Sequence, residues 1–84
     1  MINAELFKDW LTKNTSYSSA VINDLTSRMR RADGIVSWEP TTTYLYTLEQ
    51  NDQFKRLSVS VRSQLRKAVK CYTQFVIDNN FKRK

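Results

Sequence analysis

The stretch from Ser58 to Val76, SVSVRSQLRKAVKCYTQFV, decides the fold of this chain. Within it Val61, Leu65, Ala68, Val69, Tyr72, Phe75 and Val76 recur at three- and four-residue spacing. That spacing lays them along one stripe of a helix about five turns long. Ser58 or Ser60 can cap its start, a hydroxyl oxygen accepting an N–H that the first turn leaves unpaired. The face away from the stripe carries Arg62, Ser63, Arg66, Lys67, Lys70 and Thr73. Asn79-Asn80 is expected to end the helix, with Phe81-Lys82-Arg83-Lys84 as a frayed basic tail.

So long an apolar stripe needs partners, and the upstream chain supplies them. Thr41 or Thr42 can cap a short helix through about Gln50, with Leu45 and Leu48 inward and Tyr44 able to join them. Asn51-Asp52-Gln53 is a break of turn residues, after which Phe54 and Leu57 tuck back onto the core. Pro40 disfavours a helical Glu39, so the segment from Ile35 to Pro40 is a connection. Before it, Ser18 or Ser19 caps a helix in which Val21, Ile22, Leu25, Met29 and Ala32 recur at helical spacing. Gly34 sits where a left-handed C-terminal cap is wanted. Arg28, Arg30 and Arg31 fall in the last turns, where cations suit the helix dipole.

At the start of the chain Asn3 caps a helix to about Lys13, with Glu5 in its first turn. Leu6, Phe7, Trp10 and Leu11 share one stripe of it, and Asn14-Thr15-Ser16-Tyr17 is a polar break. Phe7, Trp10, Phe54, Tyr72 and Phe75 read as core, whereas Trp38 and Tyr46 receive no role. No segment reads as a strand, a repeat or a low-complexity tract. The expected fold is all-α: an orthogonal bundle of four helices, the third short.

Composition narrows the function classes. A chain of 84 residues supports one core, and 40% apolar with 26% charged residues is a globular balance. One Gly and one Pro cannot supply the turns of an all-β fold or the glycines of a phosphate-cradling loop. Without His there is no Ser-His-Asp triad, Cys-His dyad or imidazole metal site. Ser18, Ser58 and Ser60 are better spent as caps than as nucleophiles, since no base lies at a spacing that would activate them. Asp9, Asp24, Asp33, Asp52 and Asp78 are dispersed, and Cys71 stands alone beside the apolar stripe. The chain is therefore expected to be no enzyme and to need no cofactor or metal. No apolar run approaches the roughly 20 residues of a membrane span, and Met1-Ile2-Asn3-Ala4-Glu5 is unlike a signal peptide. A cytoplasmic protein is expected.

The charge balance points to a partner. Fourteen Lys and Arg against eight Asp and Glu give +6, a surplus suited to a polyanion. Off the apolar stripes, the second helix carries Ser19, Asn23, Thr26, Ser27, Arg30 and Arg31. The last helix carries Ser60, Arg62, Ser63, Arg66, Lys67, Lys70 and Thr73. Arg and Lys attract phosphate, while Ser, Thr and Asn are short donors that reach phosphate oxygens or base edges in a major groove. A solvated face normally mixes Glu among its cations, yet no acidic residue occurs from Arg62 to Cys71. Double-stranded DNA is the expected partner, through Ser19, Asn23, Ser27, Arg30, Arg31, Ser60, Arg62, Ser63, Arg66, Lys67 and Lys70. The alternative is a basic interaction module that meets an acidic protein.

Two stretches carry a family likeness. The first joins Leu6-Phe7-Lys8-Asp9-Trp10-Leu11 to the run from Ser18 to Arg31, SSAVINDLTSRMRR; the second runs from Val61 to Phe75. Together they resemble the SAM-like core-binding domain of phage-type integrases, the tyrosine recombinases. Such domains open with a short helix ending in an aromatic-Leu pair, followed by a polar turn and a Ser/Thr-capped helix with a basic end. Their last helix closes on a Tyr-x-x-Phe pattern, here Tyr72 to Phe75. The resemblance implies a four-helix module acting in DNA recombination and integration, its second and fourth helices facing the duplex. The catalytic domain of that family, with its Arg, His and tyrosine nucleophile, has no counterpart in these 84 residues, so the chain is expected to be a single helical DNA-binding domain, either a fragment of a longer integrase-like protein or a free-standing relative. The segment from Ile35 to Leu57 matches least.

Overall fold

Four side-chain oxygens set where helices begin in the computed structural model, which describes residues 2–82. Asn3 Oδ1 accepts from the Leu6 N–H (3.1 Å) and opens α1, Ala4–Asn14. Ser18 Oγ accepts from the Val21 N–H (3.3 Å) and opens α2, Ser19–Ile35. Asn51 Oδ1 accepts from the N–H groups of Gln53 (2.8 Å) and Phe54 (3.4 Å) and opens the one-turn α4, Asp52–Lys55. Ser58 Oγ accepts from the Val61 N–H (3.2 Å) and opens α5, Val59–Lys82. Between them lies α3, Tyr44–Gln50. Short polar side chains suit these positions because they reach the N–H groups two or three residues on.

The all-α class is as expected, but the described residues form five helices. The difference is Asn51: the break read at Asn51-Asp52-Gln53 is a cap, and it starts α4. Three other boundaries move as well. Gly34 is not a left-handed cap, since no glycine has positive φ. It lies inside α2, which continues to Ile35 and closes with the Val36 N–H on the Ala32 carbonyl (2.9 Å). The chain leaves that helix because Asp33 Oδ1 takes the Trp38 N–H at 2.8 Å, five residues on. Arg30 and Arg31 consequently lie before the last turn of α2, which holds no basic residue; the dipole does not account for them.

At α3, neither Thr41 nor Thr42 is the cap. Thr43 occupies that place without a capping hydrogen bond from its side chain, its hydroxyl lying 3.4 Å from that of Thr41, while Tyr44 is drawn inward and its hydroxyl donates to the Val36 carbonyl at 2.7 Å. Asn79-Asn80 does not end α5, which runs on through Phe81 to Lys82. Asparagine costs a helix only a few tenths of a kcal/mol. Just upstream, Asp78 ties α5 to α1 by accepting from Trp10 Nε1 (3.2 Å), its other oxygen accepting within α5 from Gln74 Nε2 (3.0 Å). Of the expected tail, Arg83 and Lys84 lie outside the described residues.

The core gathers around α5, whose largest interface is with α2. Leu65, Ala68, Val69, Tyr72 and Phe75 of α5 meet Ile22, Leu25, Met29 and Ala32 of α2, with Phe7, Leu11, Tyr44, Leu48 and Phe54 filling in from the other helices. Trp10 is half-buried against this cluster, and Trp38 closes it, its ring edge-on to Tyr44 (4.7 Å) and Tyr72 (5.0 Å). Leu6 and Val21, read as stripe residues, are exposed. Thr26 reverses a reading too: it is buried, its hydroxyl donating to the Ile22 carbonyl at 2.8 Å. The backbone bond satisfies the one polar atom and leaves the methyl to pack.

Two measurements test these boundaries. A Cβ added at exposed Gly34 meets nothing within 4 Å, so Gly34→Ala should raise the unfolding free energy by about 0.5–1 kcal/mol in urea. A left-handed cap would make the same change destabilising. Burial, with the Asp33 carboxylate beside it, pushes the Tyr44 phenol up to about 12. Its raised pKa favours the neutral phenol in the folded state, so that stability is full below pH 10 and fades as pH climbs from about 10 to 12. Tyr44→Phe should cost about 1 kcal/mol at pH 8 through the lost hydrogen bond. That deficit should shrink and vanish in urea melts taken towards pH 12.

Candidate nucleic-acid interface

Between Asp52 and Asp78 the chain has six cations, Lys55, Arg56, Arg62, Arg66, Lys67 and Lys70, and no carboxylate. The fold sorts the four on α5 by angle around the helix. Ser60, Ser63, Lys67 and Lys70 follow one another at three- and four-residue steps and are all exposed, forming one strip opposite Leu65, Ala68 and Tyr72. The strip is about 15 Å long at 1.5 Å per residue. On its flank Lys70 borders a shallow hollow lined by Thr41, Thr42, Thr73 and Gln74.

Arg62 and Arg66 lie on the side of α5 turned toward α3 and α4, and the structure removes both from the open face. Arg66 Nε donates to the Glu49 carboxylate, and its guanidinium lies 5.7 Å from the Phe54 ring centroid. Only about a third of each charged side chain is exposed. Arg62 is half-buried, its Nε enclosed without an acceptor in reach. The polar helical neighbours of both group them with the strip, but the carboxylate that Arg66 meets lies seventeen residues upstream. One signal was available. Glu49 follows Leu45 by four and adjoins Leu48, which puts a carboxylate on the edge of the inward face of α3, within reach of a cation from the helix packed there.

On α2, Ser19, Asn23, Ser27, Arg30 and Arg31 are all exposed. Because α2 and α5 bury their apolar stripes in the same core, these polar faces point away from it in different directions and do not merge into one plane. They approach each other at one end. Tyr17, just before the Ser18 cap, lies under Lys67, whose ammonium is 5.6 Å from the ring centroid. The turn before α2 therefore reaches the α5 strip through Tyr17, whereas Arg30 and Arg31 are about 16–18 Å along α2 from Ser19. Arg28 is taken up by a loose pair with Asp24, 4.0 Å away on the next turn. Tyr17, Lys55 and Arg56 are exposed as well, and of these Tyr17, whose polar setting hides its role in the sequence, brings its ring to Lys67 on the strip.

The remaining chemistry is sparse. Burial pushes the Cys71 thiol up, and the neighbouring Lys67 ammonium pulls it back less strongly. Little thiolate is present at neutral pH. Among the described residues no group of three or more His, Cys, Asp or Glu could hold a metal ion, and no helix is long and apolar enough to cross a membrane. Comparison with protein-family models, curated proteins and solved structures gives no match.

The division between Arg66 and the open strip is measurable. Arg66→Glu sets a second carboxylate against Glu49 and removes the guanidinium from Phe54, and should lower stability by about 1 kcal/mol. Lys70→Glu, on the exposed strip, should stay within about 0.5 kcal/mol of the parent in the same urea titration.

Proposed function

We propose that this chain is a DNA-binding helical module, comparable to the core-binding domain of phage-type integrases, that takes part in DNA recombination or integration without catalytic residues of its own. In that comparison α4 counts as an elaborated turn, and α1, α2, α3 and α5 form the four-helix orthogonal bundle. The partner is double-stranded DNA in the cytoplasm, in the setting of a mobile element.

The observation that carries this reading is the exposed strip Ser60, Ser63, Lys67 and Lys70, one-signed and flanked by the turn before α2. Its cations would lie against backbone phosphates, and its hydroxyls are short enough to donate to phosphate oxygens or base edges. The bend between the strip and the α2 face divides the expected contacts. Ser60, Ser63, Lys67, Lys70 and Ser19 form the primary contact, with Asn23, Ser27, Arg30 and Arg31 meeting a more distant part of the duplex. Arg62 and Arg66 act through the fold.

Anisotropy titrations with a short labelled duplex test this. Affinity should fall steeply between about 50 and 200 mM salt, with a logarithmic slope near −0.9 for each phosphate neutralised. Lys67→Glu/Lys70→Glu should abolish binding with little change in the thermal midpoint, because both side chains are exposed. Equal binding by parent and double variant would overturn the proposal. Salt-insensitive capture of an acidic protein through apolar contacts would instead favour a protein-interaction module.

A further inference from the structure

Arg66 and Lys67 are adjacent on α5 and are held in opposite ways. The Arg66 guanidinium is paired with a carboxylate, so its charge is spent within the fold. Lys67 has no carboxylate at three or four residues in either direction, where Ser63, Gln64, Lys70 and Cys71 stand. What it has is the face of Tyr17 at 5.6 Å. An aromatic face attracts an ammonium through its quadrupole and leaves the full positive charge in place.

Tyr17 itself has no evident packing duty. Its side chain is exposed and is not among the residues packed on the core. The turn that carries it is nonetheless tied down. The Tyr17 N–H donates to Thr15 Oγ1 (3.3 Å), and that hydroxyl donates to the Leu11 carbonyl (2.6 Å). An exposed ring on an anchored turn thus restrains the end of a long, flexible side chain. A free lysine would surrender that mobility on meeting a phosphate.

We propose that Tyr17 is a positioning residue of the DNA-binding face: it holds the Lys67 ammonium in place, un-neutralised, for a phosphodiester oxygen of the duplex. The proposal rests on the DNA-binding reading above and adds to it a residue whose own contribution is neither charge nor direct contact.

The test is a double-variant cycle on a short labelled duplex, with salt slopes measured throughout. Tyr17→Phe should bind like the parent. Tyr17→Leu should bind about two- to fivefold more weakly, with an unchanged slope because Lys67 keeps its charge, and with an unchanged thermal midpoint. Lys67→Met should bind more weakly with a slope shallower by about one. In the Lys67→Met background, Tyr17→Leu should have no further effect. If Tyr17→Leu weakens binding equally with and without Lys67, the ring acts on its own and the positioning role is wrong. An unchanged affinity for Tyr17→Leu while the parent binds overturns this proposal alone. A parent chain without salt-dependent binding overturns the DNA-binding reading and this one with it.

Discussion

Tyr72, halfway along α5, joins parts of the chain that are far apart in sequence. Its hydroxyl accepts from the Asn3 N–H at 2.9 Å, which fixes the start of α1. Its ring lies edge-on to Phe7 (5.0 Å) and Trp38 (5.0 Å) and tilted against Phe75 (5.3 Å). Edge-to-face arrangements place the positive rim of one ring on the negative face of the next, so each contact has direction as well as area. A tyrosine here meets two needs at once, since the ring fills the centre and the polar tip has a backbone donor waiting. Through it, α1, the α2–α3 connection and α5 are fixed relative to one another.

That constraint determines what α5 can show to its surroundings. With Tyr72 and its stripe turned inward, α1 pinned through Trp10 and Asp78, and α3 pinned through Glu49 and Arg66, a narrow strip of the helix is left open. The net charge of +6 is therefore a coarse guide to the surface. Arg66 of α5 is cancelled by a carboxylate, Arg62 is half-enclosed, and Lys67 and Lys70 keep their charge at the surface. The functional proposal depends on this sorting more than on the total.

Helix starts were legible in the sequence because capping is local. Asn3, Ser18 and Ser58 each reach an N–H three residues ahead, and no distant contact is needed to decide the matter. Helix ends were less so. Gly34 looked like a stop by residue type, but the departure from α2 is made by Asp33 holding the Trp38 N–H across five residues. Asn79-Asn80 looked like another, and α5 continues because Asp78 docks it to α1. Asn51 has the residue type of a break and acts as a cap, since the same short amide side chain serves either purpose.

The amino-acid order by itself determined the all-helical class, the inward stripes of α2 and α5, most of the core and the one-signed run along α5. These follow from periodicity and from residue counts, which are properties of neighbours three and four apart. The tertiary structure alone decided which cations remain available. Glu49 meets Arg66 from seventeen residues away, and Tyr17 meets Lys67 from fifty. A helical wheel places Arg62, Arg66, Lys67 and Lys70 on one polar arc, but it does not show which edge of that arc another helix will cover. Packing makes that choice, because the arc is wider than the gap left between α3–α4 on one side and the α1–α2 turn on the other.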